Sequence, residues 1–563
     1  MRKVAVILYV LILGGLGTLA SAATPNPPDQ ARTMADVIDR VITNENRSIQ
    51  QIRQYSPLVE TYIQNLKTDK ELGYVPAGDK YFLGRADFSK GVELVSLTDV
   101  NTKGKKILGA IGNFFSFSAE FIPGGFLQMV FIDTNGFDKQ HYRFDYVRRE
   151  FLGEVRCLVF DVTPLEKSGK GRFLGRIWVE DQDYNIVRFN GGYGGNGHSS
   201  WYFHFDSWRT NVQPGIWMPS FVYSQESDLH YAITKKLDFK AQTRLWGYNL
   251  GAAGQEQELS KILVETPVQD DTKTSNDLSP IQAQRSWDRQ AEDNVIDRLE
   301  RIGLLAPRGE VDKVLETVVN NLEVTNNIDV EPEVRCRVMT TSTLESYTVG
   351  HTIVLSRGLV DVLPDEASLA TMLSHELGHI VLGHRLDSSY AFFDNLLVED
   401  KDTFRHFGFQ RTPDEEKAAN AKAIQILNNS PYKNQLGNAG LFLTALTTRE
   451  KEIPNLISGH LGNRVPVIGD LKSTTPVDQK QNPQMIAALP LGGRVKMDPW
   501  NDKLELIKSK PTGTVAEREK MPFEVTPFMP YLTRYGSDAG KPIAASTAAQ
   551  TDGKTGETAP GKP

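Results

Sequence analysis

The segment of this sequence best equipped for chemistry is His375-Glu376-Leu377-Gly378-His379. Residues four apart share a helix face, so two imidazoles at this spacing reach one metal ion with the Glu376 carboxylate beside them. Two neutral imidazoles and a third ligand hold Zn²⁺ with one position open for a water, and the neighbouring carboxylate is the base that takes that water's proton. The chemistry expected is metal-assisted hydrolysis of a peptide bond, with one Zn²⁺ per chain and Glu376 as base.

Such a site needs a helix to carry it. Asp365-Glu366 supplies a helix start with Asp365 as N-cap, and the stretch that follows is apolar at Leu369, Met372, Leu373, Leu377, Ile380 and Val381. A buried helix is predicted. His384 lies five residues past His379, about 140° around the helix, so it is excluded from the same metal and read as structural. The longer pattern with a third histidine fails, because Leu382 stands where a glycine is required and Arg385 where the histidine is. The third ligand must come from elsewhere, and a helix-like stretch over residues 413–427 offers Glu415 and Glu416.

At Glu416-Lys417-Ala418-Ala419-Asn420 the chain resembles the gluzincin metallopeptidase family that includes CAAX prenyl proteases, HtpX-type heat-shock proteases and BepA-like periplasmic proteases. That family's second helix carries Glu-x-x-Ala-Asp, so the resemblance implies Glu416 as third ligand and Asn420 as the outer partner of a ligating histidine. Asn420 stands where the family has Asp, and it can accept the same hydrogen bond without charge. Thr352-Ile353-Val354-Leu355-Ser356-Arg357-Gly358-Leu359 looks like the family's edge strand and following turn. Ser458-Gly459-His460 and Gly462-Asn463-Arg464 resemble its late His and Arg segment, which implies that His460 and Arg464 stabilise the oxyanion. This segment is shorter than usual and lacks the Pro after His. The resemblance covers residues 310–470.

Around this half, the sequence predicts an α+β protein: an N-terminal antiparallel β-rich domain, of half-barrel form, followed by a mainly helical zincin-type domain. Residues 1–22 read as a signal peptide, with Arg2 and Lys3 before an apolar run and Ala20-Ser21-Ala22 at its end. Residues 23–265 form the β-rich domain, 266–305 a linker and helix, 306–470 the metallopeptidase domain, 471–535 a C-terminal extension and 536–563 a disordered tail. Within the first domain a helical pattern runs over residues 34 to about 66, and from Tyr81 short β-branched and aromatic runs alternate with turns. Residues 153–224 resemble the half-barrel of LolA-like lipoprotein carriers, in phrases such as Gly175-Arg176-Ile177-Trp178-Val179. Trp201, Phe203 and Phe205 alternate with polar residues, giving an aromatic sheet face that reads first as core and second as a groove for a lipid or lipoprotein client. Residues 255–280, acidic and poor in apolar residues, separate the halves.

Composition narrows the partners. Loss of Arg2 and Lys3 takes the basic count from 63 to 61 against 70 acidic side chains, a formal −9 with no basic stripe, which argues against nucleic acid. Beyond the signal, no run reaches the ~20 apolar residues of a helical span. An exported protein, periplasmic or extracellular, is expected. Cys157 and Cys336 are too few for a disulfide framework and read as buried free thiols, with a single bridge as the other reading. A binding or chaperone-like assembly factor of the envelope, with a weak or gated metal site, is the alternative to a peptidase.

Overall fold

The computed structural model describes residues 33–69, 73–88, 93–97, 126–169, 171–194, 204–232, 235–248, 280–363, 365–385, 409–464, 495–497, 504–506 and 532–535. Residues 1–22, read from sequence as a signal peptide, the acidic stretch 255–279, Trp201 to Phe203 and residues 536–563 lie outside the described residues.

The N-terminal half begins with helix α1 (Met34–Ile52), started by a capping box in which Thr33 and Asp36 satisfy each other's backbone N–H. Among the described residues ten strands follow: β1 (Leu58–Asp69), β2 (Gly73–Asp87), β3 (Glu93–Ser96), β4 (Tyr142–Leu152), β5 (Val155–Pro164), β6 (Arg172–Glu180), β7 (Ile186–Gly194), β8 (Phe205–Gln213), β9 (Ile216–Ala232) and β10 (Lys235–Trp246). They form one sheet in the order β3-β2-β1-β10-β9-β8-β7-β6-β5-β4, with every neighbouring pair antiparallel. The helical pattern expected to continue to residue 66 stops at Ile52, and Leu58 onward is strand. The cause is that both faces of β1 are buried. Val59 and Ile63 face one core while Leu58 and Tyr62 face others. Each pair is four apart, a spacing that a helix and a strand both satisfy.

One sheet face packs on α1 and on residues 126–132: Val37, Val41, Ile49, Leu127 and Val130 meet Phe160, Phe173, Phe189, Phe205 and Phe239. Among the described residues the aromatic face is therefore a filled core. Inside it Arg209 makes a two-armed pair with Glu45 of α1, at 2.7 Å on each arm and with both side chains buried. Truncating either partner would leave the other charge buried alone.

The second half contains helices α2 (Pro280–Arg301) and α3 (Glu310–Asn326), then strands β11 (Arg335–Met339), β12 (Glu345–Val349) and β13 (Thr352–Ser356). Next come helices α4 (Arg357–Val362), α5 (Glu366–Val381), α6 (Pro413–Asn428), α7 (Gly437–Arg449) and α8 (Pro454–Ile457), and the short strand β14 (Asn463–Arg464). A further hairpin pairs β15 (Val495–Met497) with β16 (Leu504–Leu506). The small sheet runs β11-β13-β12-β14. Residues 352–356, read from sequence as an edge strand, are thus an inner strand, flanked by parallel β11 and antiparallel β12. Burial on both sides is what makes this run continuously apolar.

The two halves share core. Leu58, Leu83 and Trp246 of the large sheet join Leu299, Leu304, Tyr347 and Val354 in one cluster. Polar bonds reinforce the contact: Trp246 Nε1 donates to Gly303 O at 2.8 Å, Arg244 Nη1 to Thr340 O at 2.8 Å, and Ser342 N to Glu60 Oε1 at 2.7 Å. Farther along the sheet, Glu154 N donates to Leu532 O and Arg534 pairs with buried Glu180, so the described end of the C-terminal extension lies against the N-terminal sheet. Both cysteines are free and buried. Among the described residues, no helix is long and apolar enough to cross a membrane.

Candidate metal centre

Helix α5 starts as its sequence predicts, with Asp365 Oδ1 accepting the Ser368 N–H at 2.8 Å. From Ala367 to His379 every residue of it is buried. Helix α6 starts with a second capping box, in which Thr412 Oγ1 accepts from Glu415 N and Glu415 Oε2 accepts from Thr412 N. This gives Glu415 its own task at the helix start. Glu416, turned 100° from it, is buried and faces α5. The two helices come together at Gly378, where an added Cβ would stand 2.9 Å from Ala419 O.

The structure brings His375, His379 and Glu416 together, with one donor atom from each lying within 4.8 Å of the others. His375 Nε2 and His379 Nε2 are 3.1 Å apart, and they stand 3.2 and 3.4 Å from the two Glu416 oxygens. Four-coordinate Zn²⁺ with bonds of ~2.0–2.1 Å separates its donors by about 3.3–3.4 Å, so this set fits a tetrahedral cation with little adjustment. Both Glu416 oxygens are buried and make no hydrogen bond within the protein, an arrangement that is costly without a cation between the three groups.

The surroundings bias the ionisation of Glu416, His375 and His384. Burial opposes ionisation of Glu416, but the two imidazoles beside it outweigh that and hold its carboxyl down at about 2. Burial likewise opposes protonation of His375, while Glu416, Glu376 and Asn420 act in the other direction and raise it overall. His384 Nδ1 lies 2.9 Å from His379 Nδ1, so the histidine read as structural orients the ring of His379. Burial first, and His379 second, lower the pKa of His384, which suits it to accept the His379 N–H as a neutral ring. Glu376 is fully buried and accepts a 2.6 Å bond from Ser346 Oγ of β12.

Beside Glu416 opens a cavity of about 390 Å³, walled by Arg411, Asn420, Ser458, Gly459 and Asn463 among others. Sequence reasoning missed two of the groups that shape this site. Ser346 gave no signal, being one serine in a strand. Arg411 lies five residues before Glu416; its Nη2 donates to Thr348 Oγ1 at 3.0 Å, its backbone N donates to Asn463 Oδ1, and its buried Nε has no acceptor. Burial lowers its pKa, and the nearby carboxylates Glu376, Glu415 and Glu416 oppose that. Of the two residues expected at the oxyanion, His460 has its ring at 2.7 Å from Asn455 O and tilted over Tyr81, with centroids 4.4 Å apart. That ring is committed to the junction of the halves. Arg464 pairs through its backbone with Glu345, and its side chain lies outside the described residues.

An HExxH helix is thus joined by a glutamate from a second helix, over a small mixed sheet, in a group that could hold a metal ion. Residues 307–426 match the model of Peptidase family M48. No curated protein matches the sequence. Among solved structures, one described as an outer membrane lipoprotein-sorting protein domain from Vibrio parahaemolyticus aligns at 8% identity and a TM-score of 0.22, over 40% of this chain and 98% of its own. A DUF1329 family protein from Desulfovibrio piger aligns at 10% identity and 0.21, over 38% of this chain and 94% of its own.

Proposed function

We propose that this protein is a zinc-dependent endopeptidase of the cell envelope, acting on proteins or peptides. The observation that carries the reading is the convergence of His375, His379 and Glu416 at metal-ligand separations with the Glu376 carboxylate next to them. His375, His379 and Glu416 would hold a Zn²⁺, which would supply Lewis acidity to the scissile carbonyl and to the attacking water. Glu376, aimed by Ser346, takes the proton of that water and returns it to the departing amine. His384 keeps the His379 imidazole oriented, and Asn420 acts with Glu416 and Glu376 to raise the His375 pKa. Arg411 places a cation on the cleft wall, where it can bind a substrate carbonyl or carboxylate.

The test uses the mature full-length chain and an unstructured protein substrate. Elemental analysis should give about one zinc per chain, and Glu376→Gln should keep that zinc while cleavage falls by a factor of a thousand or more, the scale expected when a metallopeptidase loses its base. Cleavage by the variant at the wild-type rate would remove this reading in favour of a binding role.

A further inference from the structure

The cleft wall opposite α6 is residues 458–463, a segment with two glycines and no regular structure before β14. Its position is set from two sides. From the small sheet, Glu345 Oε2 accepts the backbone N–H groups of His460, Leu461 and Gly462 at 2.9, 2.8 and 2.8 Å. From the N-terminal sheet, Asp79 of β2 takes the start of α8. Its Oδ1 accepts from Asn455 N and Nδ2, each at 3.0 Å, and its Oδ2 accepts from Leu456 N at 2.8 Å. The Tyr62 hydroxyl completes the shell of this buried carboxylate at 3.2 Å. Two residues along the same face of β2, Tyr81 lies against His460 and donates its hydroxyl to Glu60, which also receives the Ser342 N–H. Leu344 N donates to Leu456 O, tying α8 to the segment that leads into β12 and Ser346.

We infer that β2 of the N-terminal sheet supports the substrate cleft from behind, and that Asp79 is a positioning residue that helps set the wall 458–463 across from Glu416. The inference rests on the peptidase reading for its kinetic consequence, but its structural content stands apart from that reading. A carboxylate that accepts three N–H donors from a four-residue helix is that helix's main anchor, because a helix this short has no stability of its own. Releasing the anchor loosens the wall, which Glu345 then holds from one side alone, and leaves untouched the metal ligands, which sit on α5 and α6. Substrate binding should therefore suffer more than the chemical step.

The experiment compares full-length wild type with Asp79→Ala and with the milder Asp79→Asn, which keeps one acceptor oxygen toward Asn455. Amide hydrogen exchange over residues 455–463, zinc content, and KM and kcat on a quenched fluorescent peptide are measured on each. Exchange there should rise about tenfold or more in Asp79→Ala and less in Asp79→Asn, with zinc unchanged. KM should rise several-fold with kcat nearly constant. Unchanged exchange across 455–463 in either folded variant overturns the inference, and so does a loss confined to kcat. If wild type shows no Glu376-dependent cleavage, the peptidase reading has failed, and the exchange data still decide whether Asp79 holds the wall.

Discussion

Glu415 and Glu416 show how neighbouring residues of one chemistry receive different tasks. In isolation either carboxylate can bind a metal, and only the angle between them on α6 separates their fates. Glu415 closes a capping box with Thr412, and its carboxyl is held low chiefly by the Thr412 backbone N–H. Glu416 points at His375 and His379. Glu416→Ala is accordingly expected to abolish stoichiometric zinc, whereas Glu415→Ala keeps the zinc and costs about 0.5–2 kcal/mol of stability as a lost cap interaction. Zinc analysis and urea unfolding of the two variants measure both. Zinc lost from Glu415→Ala and retained by Glu416→Ala would put the wrong residue at the metal.

Helix α5 carries the histidines, but the distance between α5 and α6 decides whether Glu416 reaches them. Gly378 sits at the closest approach, where a methyl would meet Ala419 O at 2.9 Å. Two effects oppose each other in Gly378→Ala. Helix propensity favours alanine by about 1 kcal/mol, while a clash with backbone in a packed core costs about 1–3 kcal/mol. The obstacle is a main-chain carbonyl of a neighbouring helix and cannot rotate away, so the clash should win. The variant should unfold at lower urea concentration and bind zinc more weakly by chelator competition. A variant more stable than wild type would show that the helices separate freely. The glycine in the middle of the motif thus has a packing reason independent of the chemistry on either side of it.

At the scale of the whole chain, the acidic stretch 255–279 marks a boundary in sequence, while the packing crosses it. Leu58, Leu83 and Trp246 share a core with Leu299, Tyr347 and Val354, and Arg244, Glu60 and Asp79 bond to the second half. Protease should cut the native protein within 255–279, and the two fragments should then elute together on gel filtration under native conditions, since separating them would bare that apolar core to water. Fragments that part without denaturant would mean that the halves are independent domains. The cysteines add no staple: burial and then Glu180 push the Cys157 thiol up to about 12, and burial raises Cys336 as well, so neither thiol ionises near neutral pH.

What the sequence by itself determined is the part whose information is local. The four-residue spacing of His375 and His379, the Asp365 cap and the apolar face of α5 all depend on one helical turn, and 100° per residue carries them from letters to geometry, while the choice of Glu416 over Glu415 came from the family resemblance. Hairpins such as β6 with β7 were legible for the same reason, since a turn joins strands adjacent in the chain. The tertiary structure decided what depends on pairing across hundreds of residues. Whether 58–66 was helix or strand hung on both its faces being covered, and whether 352–356 was edge or centre hung on β11 and β12 pairing with it from either side. Ser346 under Glu376, Arg411 on the cleft and Asp79 beneath its wall are single polar residues with no period and no motif. They gain their roles only when burial removes water and each must find its partner on another element of the fold.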